Sequence, residues 1–207
     1  MNNKALERSV NHLQILFSIV FGISITTLLS KITTIINDIG YKNMKIYIPY
    51  LLMGLSYFIL VIPFYHGANR YMDQTYILNN DKNEKRFSLM IDFFFLFFEG
   101  VIFLILSLLI KNIHWFYIII CLLLFYDFLW VGLSFLYNNC EQIKKNNTKY
   151  KWWGICNVIT GIIILLSNSI NIWTDVIYLH IFIFILLFIR SVLDYILVWD
   201  FYFPQKA

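Results

Sequence analysis

The amino-acid sequence predicts an all-α membrane protein: a single bundle of about six transmembrane helices, with almost nothing outside the bilayer. Two observations carry this. The 207 residues are 60% hydrophobic and only 14% charged, whereas soluble domains are roughly 45–50% apolar and about 25% charged. A soluble fold of this size cannot hide so much apolar surface, so lipid is expected to cover it. The apolar residues also run in stretches of about 20, the length a helix needs to cross a hydrocarbon core of roughly 30 Å. These runs do not alternate, which excludes membrane β-strands of roughly 10 residues.

The spans are expected at about 12–30, 46–66, 88–110, 113–136, 152–171 and 176–199, forming one domain over the whole chain. Lys4 and Arg8 precede the first span as they would in a signal peptide. Its apolar stretch is nevertheless as long as a full span and no A-x-A-type site follows, so it is read as an uncleaved first helix. The second span runs toward Pro63, where a kink is expected, and the segment after it is expected to continue as helix. A charged cluster from Asp81 to Arg86 opens the third span, and Lys111-Asn112 closes it. Trp115, Trp152, Trp153, Trp173 and Trp199 fall at or near the ends of spans, as interfacial anchors do, while Trp130 is less clearly terminal. Six spans put eleven Lys and Arg residues on the side of the termini and four on the other. The positive-inside rule then predicts a multi-pass cell-membrane protein with both termini cytoplasmic.

The first span is the most informative. Gln14, Ser18, Gly22, Thr26, Ser30 and Thr34 recur every four residues, and residues at that spacing lie near one another on a helix face. Small residues in such a row permit close helix crossing. They equally suit a helix lining a hydrated pore, with Ser18, Gly22, Thr26 and Ser30 along the path and Ile25 or Leu29 as the gate. Both readings hold together if several copies of the helix surround one axis.

Charged residues inside the spans form the second feature. Asp92, Glu99, Asp127 and Asp194 face a single base, Arg190. An ionised group at the bilayer centre costs at least about 2.5–3.5 kcal/mol, so these side chains are expected to face protein or water and to find partners. Arg190 and Asp194 are one helical turn apart and can pair, and Asp127 can reach Arg190 from a neighbouring helix. The remaining acids suit either a cation pathway or a set of protonated, hydrogen-bonded groups. His66, Arg70 and Asp73 form a third group on one helical face at the cytoplasmic end of the second span. They suit a pH-sensing or headgroup-binding cluster, or simply an ion-paired helix extension.

Motifs for other chemistry are absent, and nothing positive supports an intramembrane enzyme using His66 and an acid. The cysteines Cys121, Cys140 and Cys156 have neither metal-ligand nor redox spacing. No H-E-x-x-H, G-x-S-x-G or phosphate-binding glycine loop is present. No enzyme activity, cofactor, metal site or nucleic-acid partner is expected. Runs of Ile, Asn, Lys and Phe suggest an AT-rich, bacterial genome.

The stretch Phe17-Ser18-Ile19-Val20-Phe21-Gly22-Ile23-Ser24-Ile25-Thr26-Thr27-Leu28-Leu29 resembles the opening helix of the six-helix lysosomal and bacterial potassium-channel family. That family carries a Phe-Ser-Asp motif there; in this chain Ile19 stands in place of the aspartate. The resemblance implies a homo-oligomeric, cation-conducting channel lined by its first helix, with a histidine near the end of the second helix as His66 is here. The expected function is therefore an ion channel or pore-forming subunit, with the lipid bilayer and further copies of the chain as partners. The alternatives are a non-conducting membrane adaptor or sensor subunit bound to a regulatory protein, and a small transporter.

Overall fold

A computed structural model describes residues 3–39, 44–78, 85–137, 147–169 and 175–203. Six long helices account for nearly all of them: α1 (Asn3–Ile39), α2 (Met44–Met72), α3 (Lys85–Leu108), α4 (Ile113–Tyr137), α5 (Asn147–Ser169) and α6 (Val176–Leu197). A π-helical turn, Asp73–Ile77, extends α2, a 3-10 turn, Leu109–Lys111, extends α3, and a short α7 (Trp199–Tyr202) follows α6. Among the described residues there is no strand. All six long helices are long and apolar enough to cross a membrane. The charged residues Asp81, Lys82 and Glu84, together with Cys140, Lys144, Lys145, Trp173 and Lys206, lie outside the described residues.

The helices close into a ring. α1 packs on α2 and α3, α2 on α6, α6 on α5, α5 on α4, and α4 on α3. Alternating helices bring α1's start, the end of α2, the start of α3, the end of α4, the start of α5 and the end of α6 to one pole, here called the terminal pole. Leu28, Met53, Tyr57, Phe103, Phe116, Ile120, Ile164, Ile183 and Leu187 are fully buried and fill the centre. The polarity of the molecule is inverted. Phe94, Phe98, Leu122, Leu129, Leu166, Ile185, Phe188 and Ile196 are exposed, while Asp92, Glu99, Asp127, Arg190 and Asp194 are buried. Water would not tolerate an outer surface so continuously apolar.

Helix contacts follow side-chain size. A Cβ on Gly100 would stand 2.9 Å from Val20 Cγ1, and one on Gly54 would stand 2.6 Å from Ile32 Cδ1. Both glycines therefore let α1 lie close on its two neighbours. α1 runs for 37 residues, roughly 55 Å at about 1.5 Å per residue, far beyond the predicted 12–30. α2 passes through both Pro49 and Pro63 without ending. Pro63 has no N–H to give the carbonyl of Ile59 four residues earlier, and Ser191 Oγ of α6 donates to that carbonyl at 2.8 Å. Asp175 caps α6 by accepting from the Ile177 N–H at 2.9 Å.

Candidate functional site

The fold leaves α1 the least covered helix: 22% of its most apolar stretch is buried, against 28–44% for the other five. Leu6, Val10, Phe17, Ser24, Leu28, Ile32 and Ile35 face inward. The opposite sector presents Gly22, Thr26, Leu29, Ser30, Thr33 and Thr34. A Cβ on Gly22 would touch nothing within 4 Å, so no contact inside the bundle requires that glycine. Gly22, Thr26, Thr27, Ser30, Lys31 and Thr34 line an open groove of about 750 Å³ with Ile19, Ile23 and Lys111. The Thr26 and Thr34 hydroxyls donate to the carbonyls of Gly22 and Ser30, each at 2.9 Å, which lowers the cost of holding them away from water.

Two members of the predicted set depart from this face. Ser18 is half-buried, donating to the Gln14 carbonyl at 2.7 Å with the Tyr65 hydroxyl 2.6 Å away. Ile25 packs against the core, so of the two predicted gate residues only Leu29 is on the exposed sector. Ser24, between them, is fully buried and hydrogen-bonded to Tyr57.

The charged residues meet inside the ring, and the link between them is a residue that charge alone does not reveal. Asn157 of α5 donates from Nδ2 to Asp127 Oδ2 at 2.6 Å and accepts from Arg190 Nε at 2.7 Å. Asp127 thus reaches Arg190 through an amide. Arg190 Nη1 is 3.3 Å from Asp194 Oδ2, and the guanidinium lies 4.7 Å from the centroid of the Phe64 ring. Tyr202 of α7 donates to Asp194 at 3.2 Å. Burial, and next the Asp194 carboxylate, push the Tyr202 phenol well above its ordinary range, so it remains a donor. Asp92 is a separate, satisfied site: it accepts from Tyr76 at 2.5 Å and from Trp130 Nε1 at 2.8 Å. Trp130 is accordingly a buried partner, whereas Trp115, Trp152 and Trp199 are exposed near helix ends. Glu99 is 1% exposed, and neither of its oxygens has a hydrogen-bond partner among the described residues. Glu99 and Asp127 are close enough to interact electrostatically.

The group at the end of α2 is divided among three neighbours. Arg70 Nη1 stands 3.5 Å from Asp73 Oδ2, while its Nε donates to the Phe201 carbonyl at 3.2 Å. Asp73 accepts from Gln14 Nε2 of α1 at 2.9 Å. His66 turns instead toward α6 and α7, with Nδ1 3.4 Å from the Tyr195 hydroxyl and its ring 4.8 Å from that of Tyr202. The cluster therefore ties α1, α2 and α7 together at the terminal pole. Beside it a cleft of about 50 Å³ runs between α2, α4, α5 and α7, walled by Phe64, Tyr71, Trp130, Tyr150, Trp153, Phe201 and Tyr202, with Asp127 in its lining. Asn157 and this aromatic cleft escaped sequence reading. A lone asparagine in an apolar span was the available signal for the first; the second assembles from four separated segments.

Comparison with known proteins adds no family: no family model, curated protein or solved structure matches the chain. Among the described residues no group of His, Cys, Asp and Glu has the arrangement of a metal site.

Proposed function

We propose that the chain is an ion channel or pore-forming subunit of the cell membrane, that it conducts as a homo-oligomer, and that the exposed sector of α1 faces the shared axis. One observation carries this reading: the helix with the least cover is also the one whose uncovered sector bears Gly22, Thr26, Ser30 and Thr34. Small side chains there allow helices of separate copies to approach, and hydroxyls give a path that water can wet. The resemblance of α1 to the first helix of the potassium-channel family supports the same orientation. A path through one bundle is disfavoured, because large side chains such as Tyr57, Phe103 and Phe116 fill its centre.

The sequence also suggested that Glu99 and Asp127 either favour cations or brace the bundle. Both are buried within one bundle rather than on the α1 groove, and the bond from Asn157 supports a bracing role for Asp127. The charges beside the groove are Lys31 and Lys111, the latter 4.0 Å from Asp38. Ion preference in this reading is set by these lysines and the hydroxyl row.

The gate assignment narrows to Leu29. Recording of the purified chain in planar bilayers is expected to show raised basal current for Leu29→Ser. Ile25→Ser, cut from a core contact, is expected to lower stability without opening a leak. Unchanged currents in Leu29→Ser, with the wild type conducting, would remove Leu29 from the path. Silence of the wild type, with the purified chain monomeric, would contradict the pore itself.

A further inference from the structure

The cleft at the terminal pole lies away from the α1 groove and is not used by the proposed pore. Its walls are aromatic: Tyr71, Trp130, Tyr150, Trp153 and Phe201 surround it, and Asp127, 4% exposed, contributes the carboxylate. Asn157 engages one oxygen of that carboxylate, Oδ2, at 2.6 Å. Asp127 reaches Arg190 through Asn157 and Asp194 pairs with Arg190 directly, so two carboxylates share one guanidinium beside the cleft. A cation would meet a carboxylate and several π faces, the combination that recognises alkylated ammonium groups. The volume, about 50 Å³, exceeds the roughly 10–15 Å³ that one water needs and suits a compact group of a few heavy atoms.

We propose that this cleft is a binding site for a small alkylammonium cation, held by the Asp127 carboxylate and the aromatic walls. The same chemistry is offered by a free organic amine and by the amine of a lipid headgroup. The interaction is non-covalent and does not depend on whether the chain conducts.

The test is equilibrium binding of radiolabelled tetramethylammonium to the purified full-length chain, with choline and its uncharged isostere 3,3-dimethylbutanol as competitors. Choline is expected to compete at least about thirty-fold better than the alcohol, as a desolvated cation–π site requires. Asp127→Asn is expected to abolish binding. Because Asp127 also braces the interior, a second variant is needed. Ser134 lines the cleft and its hydroxyl donates to the Val131 carbonyl of its own helix at 2.8 Å, so Ser134→Leu should plug the cleft and abolish binding while leaving the charged network intact. Absence of saturable binding, equal competition by the alcohol, or binding that survives Ser134→Leu would overturn the proposal. Given binding, nanodiscs with the same share of phosphatidylglycerol, the remainder being either phosphatidylethanolamine or an amine-free neutral glycolipid, identify the source at equal surface charge: lower apparent affinity with phosphatidylethanolamine assigns the site to a lipid amine, and equal affinity assigns it to a free cation.

Discussion

Replacing Asn157 with Leu examines the amide that joins Asp127 to Arg190. The substitution roughly preserves size and removes two hydrogen bonds, the 2.6 Å bond to Asp127 and the 2.7 Å bond from Arg190. Both partners are almost completely buried, at 4% and 2% exposure, so Arg190 recovers no water on losing the amide and Asp127 meets water only through the small cleft it lines. Hydrogen bonds to charged groups contribute about 1.5–3 kcal/mol each in soluble proteins, whereas polar contacts between membrane helices average about 0.6 and reach about 1.7 kcal/mol. Arg190 retains its ion pair with Asp194, which limits the loss. The expected cost is about 3 kcal/mol, between the two scales. At about 2–4 °C per kcal/mol for a chain of this length, the apparent Tm in detergent should fall by roughly 6–12 °C. Asn168→Leu is the control: it lies on the same helix, and its amide bonds to His114 are exposed. A Tm for Asn157→Leu within about 2 °C of this control would refute the reasoning, since the bridge would then hold nothing that solvent or a rearranged neighbour does not replace.

Other outcomes follow from the same contacts. Ser191→Ala should cost about 1–2 kcal/mol, because it strips the donor from the Ile59 carbonyl. The cost should shrink when Pro63→Ala restores an intrahelical N–H, and a thermal-stability double-mutant cycle measures the coupling. Gly100→Ala should destabilise by about 1–3 kcal/mol through the contact with Val20. Gly22→Ala, with open space at its Cβ, should leave monomer stability unchanged while altering oligomer yield on gel filtration. Lys31→Gln should shift the reversal potential in a potassium chloride gradient toward the cation side, as Lys31 lines the α1 groove.

The helices were legible because lipid imposes long apolar runs. Val176, where α6 begins, coincides with the predicted start, and the residue before it, Asp175, is its cap. The lengths of α1 and α2 were less legible. Beyond the apolar stretch, residues such as Lys4, Glu7 and Asp38 are as compatible with helix as with loop, and a span length says only where lipid must end. Arg190 and Asp194 were readable as a pair because one helix fixes their spacing. The Asp127–Asn157–Arg190 bridge was not, since it depends on which helices become neighbours in the ring. Along α1 the four-residue row groups Gly22, Thr26 and Ser30, which share the exposed sector. It carried Ser18 too far, because a four-residue step overshoots the 3.6-residue turn and because Tyr65 offers Ser18 a partner.

The central claim concerns which surface of α1 meets the ion path. In a background with the cysteines replaced by serine, single cysteines at Thr26, at Ser30 and at Ile185 would be exposed to a water-soluble, charged thiol reagent during bilayer recording. Thr26 and Ser30 are on the exposed sector of α1, and Ile185 is exposed on α6. The account predicts that the reagent changes the current through Thr26→Cys and Ser30→Cys and leaves Ile185→Cys untouched. Current that is indifferent to modification at all three positions would contradict it.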